Sequence, residues 1–371
     1  MTDVSTHGGQ QGLAPEPGTP LPGRRLPAPL RAVRQVLLSR YLVLLLTALY
    51  VLAILPFTTN LLSTGNLTNI LSNYWPLLVV AVGQTFVLVV AGIDLSQTSI
   101  MAVANVAAAM IVTERLNPAL FEKSAFWGWL LGPDGGPLPG AGGVPVAVLV
   151  AVLVGALIGL GNGLAVSRLG MPAFMVTLAS YLFFAAFAVW ATKSENVTGL
   201  PDAYAALGTG AVLGVPIPLL LAVGVAVVAH LLLARTVFGR YLYAVGANPR
   251  AATVSGVPRA RVVTAAYVVS GVCASLGAIL YSARLEAGRP TLGANLLLDV
   301  VGACVIGGVS LFGGKGNVLG AAMGVLLFVV LANGLNLLQL PFYTVMVVKG
   351  GVILVAVLLD VVRLRATGEG T

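Results

Sequence analysis

Long apolar runs separated by short polar segments occupy almost the whole chain after residue 40. A helix that crosses a bilayer needs about 20 mostly apolar residues. Ten runs reach or approach that length: 41–59, 74–91, 95–113, 144–167, 172–192, 215–234, 262–283, 294–312, 317–338 and 342–362. The pattern therefore predicts an all-α integral membrane fold with about ten transmembrane helices.

Two of the breaks between these runs are very short. Gly92, Ile93 and Asp94 separate the second run from the third, and the sequence GGKG at 313–316 separates the eighth from the ninth. Broken or re-entrant helices are tolerated where their free backbone groups are buried in protein or line a cavity. Eight spans with two re-entrant segments is therefore the alternative to ten spans.

The two ends of the chain differ from the apolar middle. Residues 1–40 are rich in Gly and Pro and contain Arg24, Arg25, Arg31, Arg34 and Arg40. Such a composition cannot build a packed core, which predicts a disordered basic tail. Residues 41–365 form the predicted transmembrane domain, and residues 366–371 form a second, short tail.

Composition and charge set the orientation in the membrane. Hydrophobic residues make up 58% of the chain and charged residues 9%, with a mean hydropathy of +0.98. The formal charge of +8 lies in a few basic segments beside apolar runs, a distribution typical of membrane topology rather than of nucleic-acid binding. With the amino terminus inside, every strongly basic segment falls on the cytoplasmic side. The prediction is a multi-pass protein of the cell membrane with both termini in the cytoplasm.

A short motif recurs in the two halves of the chain. The sequence NGL occurs at 162–164, before PAF at 172–174, and again at 333–335, before PFY at 341–343. In the predicted topology the first copy lies inside and the second outside. An inverted repeat of spans two to five on spans seven to ten would produce this arrangement. Coincidence is the alternative, because the match is short.

The longest basic segment is the loop 235–261, which carries five arginines and no acid. Its centre has the signals of a short helix: Asn248 at the N-cap, Pro249 at the first helical position, and Gly256 followed by Pro258 at the end. An isolated helix of this length is only marginally stable in water. We therefore expect it to dock on another protein at the cytosolic face.

Polar residues at the break after the second run have two interpretations. Gly92 ends that run, and Asp94 with Gln97 three residues later resembles a capping box at the start of the next helix. The structural interpretation is a span terminator, and the functional one is a hinge that faces a polar pathway. Both can hold together. The residues predicted for a hinge or pathway are Gly92, Asp94, Ser96, Asn162, Asp299 and Asn333.

Asp299 lies among leucines and valines in the eighth run. A carboxylate within a span is costly and should face the bundle interior or a water-filled cavity. Three charged residues just upstream are its candidate partners: Arg284, Glu286 and Arg289. An ion pair is the alternative to a contact with a transported molecule.

The chain lacks the residue patterns of catalysis, metal binding and nucleotide binding. His7 and His230 lie in the tail and near a span end, and Cys273 and Cys304 lie in apolar runs without metal spacing. The segment 307–317 resembles a phosphate-binding loop but lacks its first Gly and its Ser or Thr. The sequence therefore predicts neither an enzyme nor a bound cofactor or metal.

Four segments together resemble the permease subunits of bacterial ABC importers for monosaccharides, of the ribose, xylose and galactose type. They are AGIDLSQTSIMAVA, GNGLAVSRLGMPAFMVTLAS, GRYLYAVGANPRAATVSGV and LDVVGACVIGGVSLFGGKGNVLGA, and the resemblance covers about residues 40–365. The core GIDLS is more similar to the sugar branch than to the branched-chain amino acid branch. The chain departs from the family pattern at Ala91, at Gln97 with Thr98, and at Leu297, and these departures bear on the identity of the sugar.

The resemblance implies a half-transporter that imports a pentose or hexose through alternating access. Its implied partners are a cytosolic ABC ATPase subunit, an extracytoplasmic sugar-binding protein, a second permease and the lipid bilayer. The helix in loop 235–261 would be the coupling helix, with contacts from Asn248, Pro249, Arg250, Ala251, Ala252, Ser255, Gly256 and Pro258. Import of another sugar-like solute and ion-coupled secondary transport are the alternatives.

Overall fold

The computed structural model describes residues 42–366, so the predicted tail 1–40 and nearly all of the tail 366–371 lie outside the described residues. Within this part the helices are α1 (Leu42–Ile54), α2 (Thr64–Val89), α3 (Gln97–Val112), α4 (Pro118–Phe121), α5 (Val144–Ser167), α6 (Ala173–Thr192), α7 (Asp202–Thr209), α8 (Ile217–Arg235), α9 (Val237–Ala247), α10 (Pro249–Val254), α11 (Arg259–Arg284), α12 (Leu297–Ile306), α13 (Val318–Leu337) and α14 (Phe342–Ala366). A hairpin pairs β1 (Ala211–Val212) with β2 (Val215–Pro216), and two 3-10 turns cover Leu55–Phe57 and Ala141–Gly143.

Each of the ten predicted runs coincides with a helix. Six helices of the described part are long and apolar enough to cross a membrane, namely α2, α5, α6, α8, α11 and α13. The other four, α1, α3, α12 and α14, contain shorter apolar stretches. The all-α, multi-span fold predicted from hydropathy is confirmed.

The start of α2 differs from the prediction. This helix begins at Thr64, ten residues before the apolar run 74–91. Ser63 caps it, because its Oγ accepts a hydrogen bond from the backbone N of Asn66 at 3.3 Å. The added turns, TGNLTNILSN, are mostly polar. A hydropathy window detects apolar length, so it does not detect a polar extension of the same helix.

The helix α12 is shorter than its predicted run 294–312. It ends at Ile306, and Gly308 has the positive φ of +87° that favours glycine after a helix. The non-helical segment 307–317 continues to the end of α2, where Gly314 N donates to Val89 O at 2.9 Å. The ten residues of α12 alone are too short to cross a bilayer, so the choice between ten spans and eight stays a prediction.

Small residues allow α5 and α11 to pack closely at the centre of the fold. Gly155, Gly159 and Gly163 lie one turn apart on α5 and face the backbone of α11. A Cβ added to Gly155 would overlap Gly271 O, and one added to Gly271 would overlap Gly155 O. Close backbone approach through small residues is typical of helix packing in membranes. The glycines at 159–163 therefore serve helix packing.

Two sets of four helices pack in corresponding ways. In the first set, α3 packs on α5 and α6; in the second, α12 packs on α13 and α14. Between the sets, α11 packs on α3 and α5, α2 packs on α12 and α13, and α2 meets α11. In the predicted order of ten spans, equivalent helices are five spans apart, and the two sets would then run in opposite directions. This packing agrees with the predicted inverted repeat of spans two to five on spans seven to ten.

Candidate functional site

The basic loop 235–261 contains two helices, α9 and α10, where the sequence predicted one. Thr236 caps α9, because its Oγ1 accepts a hydrogen bond from the backbone N of Gly239 at 3.2 Å. On α9, Leu242 is buried and Arg240 is exposed, so the helix lies with one face against the protein. The sequence interpretation missed α9 because a single residue separates it from α8.

The helix α9 packs against the end of α2 at Val89 and against the segment 307–317 that follows α12. Tyr243 Oη donates to Gly316 O at 2.7 Å. Burial raises the pKa of Tyr243 above its ordinary value, so the phenol stays protonated and able to donate. Gly246 allows a close backbone approach, since a Cβ there would overlap Val89 O and lie 2.5 Å from Gly314 N.

The helix α10 has the ends that the sequence predicted. Asn248 Oδ1 accepts a hydrogen bond from the backbone N of Ala251 at 3.0 Å. Pro249 is the first helical residue, and Gly256 follows the last turn with a φ of +81°. The capping predictions for this short helix are confirmed.

Most residues predicted to contact a partner protein through α10 are exposed. A surface groove is bordered by Asn248, Pro249, Arg250, Thr253, Val254 and Arg259, with Val254 91% exposed. Exposed as well are Ala251, Ser255, Gly256 and Pro258. Ala252 is the exception, because it is buried and packs into the main apolar core. Its predicted contact role is corrected: Ala252 anchors α10 to the protein.

Four of the six predicted hinge or pathway residues meet in one buried cluster. Asp94 Oδ1 accepts hydrogen bonds from the backbone N and the Oγ of Ser96, at 3.0 and 2.6 Å. Asp94 Oδ2 accepts from Ser270 Oγ at 2.6 Å, and Asn162 Nδ2 donates to Ser96 Oγ at 2.8 Å. Gly92, also buried, lies in the turn that carries Asp94. The cluster joins the α2–α3 break to α5 and α11.

Asp94 does not cap α3 as the sequence predicted. The helix begins at Gln97, and Ser96 at its N-cap makes no side-chain capping bond. Gln97 Nε2 donates to Ser270 Oγ at 2.8 Å, so its side chain reaches α11 rather than the start of its own helix. Both carboxylate oxygens of Asp94 have partners, although the buried Gln97 Oε1 has none among the described residues, and such buried hydrogen bonds fix local structure. The cluster therefore holds the break in place, and a hinge motion there stays a prediction.

The remaining two predicted residues, Asp299 and Asn333, line a cavity of ≈ 210 Å³. Its polar wall consists of Asn69, Asn73, Tyr281, Asp299, Asn333, Asn336 and Lys349. Lys349 Nζ donates to Asp299 Oδ2 at 2.7 Å, and both side chains are largely buried. Lys349 on α14 thus replaces the partners predicted for Asp299, which were Arg284, Glu286 and Arg289.

The cavity lies in the half of the protein opposite to α10. Along α2, Asn73 lies sixteen residues before Val89, which is about 24 Å at 1.5 Å per residue. Beside the cavity, Asn66 and Asn333 exchange two amide hydrogen bonds of 2.9 and 2.8 Å, which join α2 to α13. In the predicted topology, which puts α10 at the cytosolic face, the cavity lies in the outer half.

The described residues offer no cluster suited to a metal ion. Residues 42–366 contain no group of three or more His, Cys, Asp and Glu side chains that could hold one. Cys273 and Cys304 are buried and free, and Cys304 Sγ donates to Ala81 O at 3.3 Å in the apolar core. Both cysteines therefore pack as small apolar residues.

Residues 66–357 match the family described as the permease component of the branched-chain amino acid transport system. This chain belongs to that permease family. The matched range includes α10, the buried Asp94 cluster and the cavity, so each site described above lies within the family region. The permease is a multi-pass membrane protein.

The permease is similar to sugar import proteins along most of its length. The ribose import permease of Bacillus subtilis is 37% identical over 283 residues, 76% of this chain and 80% of that protein. The ribose import permease of Haemophilus influenzae is 34% identical over 302 residues, 80% and 85% of the two chains. The D-allose transport system permease of Escherichia coli is 30% identical over 299 residues, 81% and 84%. No solved structure matches the chain.

Sequence interpretation of the permease missed most of the cavity wall. Lys349 is a lone cation inside the last apolar run, which is itself a signal of function. Asn66, Asn69 and Asn73 recur at intervals of three and four, which places them on one helix face. The asparagines were missed because they precede the apolar run from which α2 was predicted.

Proposed function

We propose that the permease is the membrane subunit of an ATP-driven importer that carries a pentose or hexose into the cell by alternating access. The observation that supports this is α10. A helix of six residues is not stable alone, yet Asn248 caps it and Ala252 anchors it while its outer face stays uncovered. Such a preformed, exposed and basic helix suits docking on a cytosolic ATPase.

The contacts of α9 supply a route from this docking surface to the cavity. Tyr243 and Gly246 fasten α9 to the end of α2 and to the segment after α12. Asn73 on α2 and Asp299 on α12, the helix that leads into that segment, both line the cavity. A displacement of α9 therefore moves both elements that border the cavity. An ATPase that binds the two arrangements with different affinity would shift the equilibrium between them.

The proposal includes further partners. An extracytoplasmic sugar-binding protein would deliver the substrate, and a second permease, identical or related, would complete the transporter in the lipid bilayer. ATP hydrolysis would take place in the ATPase subunit. The names of the relatives, a ribose import permease and a D-allose transport system permease, support a monosaccharide substrate, and import of another sugar-like solute is the alternative.

Ion-coupled secondary transport is the second candidate, because Asp299 is a buried carboxylate within the membrane. A coupling cation would need to approach that carboxylate. Lys349 Nζ lies 2.7 Å from Asp299 Oδ2 and already supplies the neutralising charge. This pairing favours the ATP-driven importer.

Co-purification tests the proposed function. The permease would be solubilised from its native membrane as the wild type, as Arg250→Glu on α10, and as Arg168→Glu. Arg168 is the matched control, since it is an exposed arginine on the same face outside α10. We expect an ATPase with the wild type and with Arg168→Glu, and its loss with Arg250→Glu. Recovery of no ATPase with the wild type, or equal recovery with all three, would contradict the proposal.

A further inference from the structure

We propose that the cavity lined by Asp299 and Lys349 binds one uncharged polyhydroxylated ring, and that this ion pair recognises its hydroxyl groups. The inference rests on the proposed function and adds a substrate-contacting site within a single permease chain.

The cavity wall matches the bonding capacity of hydroxyl groups. A hydroxyl both donates and accepts hydrogen bonds, and so does the amide of an asparagine. Four asparagines line the cavity from two facing helices, Asn69 and Asn73 on α2 and Asn333 and Asn336 on α13. The ion pair adds a strong donor and a strong acceptor. This wall therefore suits a ligand with many hydroxyls and no net charge.

The size and access of the cavity suit a single ring. Its ≈ 210 Å³ equals the space of about seven water molecules at ~30 Å³ each, which is the scale of one small polyol. A second recess of ≈ 340 Å³ shares Asn73, Tyr281 and Leu296 with it and is otherwise lined by residues from 284–295. That segment joins α11 to α12 on the outer side. A solute released outside can thus approach the ion pair through this recess.

The bonding of Asp299 is incomplete in a way that a purely structural ion pair does not explain. Its Oδ2 receives Lys349 Nζ, whereas its Oδ1 is buried and has no hydrogen-bond partner among the described residues. Buried polar atoms almost always have partners. A buried ion pair is also weak evidence for stability, because apolar residues of the same volume often do as well. Six other buried side-chain atoms of the described residues also lack a partner, but Asp299 is the residue among them that lines the polar cavity, and this position points to a ligand there.

A small rotation would present this oxygen to the ligand at little cost. The terminal torsion of an aspartate has a broad energy profile. Turning the carboxylate of Asp299 towards the cavity breaks no bond at Oδ1, because none is made there.

The same geometry disfavours an amino acid as the occupant. A zwitterion would need the carboxylate of Asp299 and the ammonium of Lys349 for its own two charges. These groups already neutralise each other at 2.7 Å. An amino acid would have to separate a buried ion pair, whereas a hydroxyl can bond to both members without separating them.

The test compares Lys349→Met with the double variant Asp299→Asn/Lys349→Met, in which neither residue is charged. For each variant we would measure the amount of permease in the membrane, the amount of co-purified ATPase, and the uptake of D-ribose, D-xylose, D-allose and L-leucine. Lys349→Met leaves an unpaired buried charge and should reduce the membrane level. The double variant should restore that level and the bound ATPase, while sugar uptake stays roughly 10- to 100-fold below wild type because hydrogen bonds to charged groups are lost. Wild-type uptake by the double variant would overturn the inference.

A second pair of variants keeps the inference testable without the buried charges. Asn336 is exposed at the cavity and Asn73 is half-buried, so truncation at either position disturbs little packing. Asn73→Ala and Asn336→Ala should raise the half-saturation concentration for the sugar several-fold. Unchanged sugar uptake in both, or wild-type uptake of L-leucine with no sugar uptake, would overturn the inference. Failure of the proposed function is a separate result, namely a wild-type permease without an ATPase.

Discussion

Gly246→Ala should uncouple the ATPase from transport by moving α9. A Cβ at this position would lie 2.5 Å from Gly314 N, against about 3.4 Å for an ordinary contact, and would also overlap Val89 O. Both neighbours are backbone atoms and cannot turn aside, so α9 must retreat by at least about 1 Å. Overpacking of this kind costs about 1–3 kcal/mol. The population in which α9 contacts Val89 and Gly314 falls accordingly by about 5- to 150-fold.

The assay is the amount of sugar transported per ATP hydrolysed in proteoliposomes that contain the permease with its recovered ATPase. Gly246 is buried, so the exposed face of α10 is unchanged and the ATPase should still bind. We expect sugar transport per ATP to fall at least about fivefold. Gly161→Ala on α5 is the matched control, because no atom lies within 4 Å of its added Cβ. Wild-type transport per ATP by Gly246→Ala would refute the mechanical role of α9.

Three further variants test single contacts. Asn248→Ala removes the cap of α10 and should cost about 1 kcal/mol, which corresponds to roughly fivefold weaker ATPase binding. Asn248→Asp should keep the cap and the wild-type binding. Equal ATPase binding by the two variants would refute the capping role. Gly271→Ala should destabilise the α5–α11 contact by about 1–3 kcal/mol, measured by thermal unfolding in detergent against Gly224→Ala, which has open space around its Cβ. Ser270→Ala removes the 2.6 Å donor to Asp94 Oδ2 and should cost about 1–3 kcal/mol; an unchanged unfolding temperature would show that Asp94 is held by other groups.

Features that depend on neighbours in the sequence were predictable. Apolar length located the ten helices that coincide with the predicted runs, because burial in lipid demands a nearly continuous apolar run. The ends of α10 followed from Asn248, Pro249 and Gly256, whose roles at helix ends are local. The boundary of α2 was missed, because its first turns are polar and lie outside the apolar run.

Features that depend on distant residues were not predictable. Asp299 pairs with Lys349, fifty residues later on another helix, whereas the predicted partners were close in sequence. Asp94 was interpreted as a local cap, but its two carboxylate oxygens accept hydrogen bonds from Ser270 on α11 and from Ser96. One sequence cannot show which helices meet, so these tertiary partners overrode the local signals.

The energy source of uptake by right-side-out membrane vesicles tests the central claim most directly. Vesicles that contain the wild-type permease, its ATPase and the external binding protein would receive internal ATP, with and without an ionophore that collapses the ion gradients. An importer driven through α10 should take up sugar in both cases, stop without ATP, and stop in Arg250→Glu. Uptake that continues without ATP and stops with the ionophore would contradict the account.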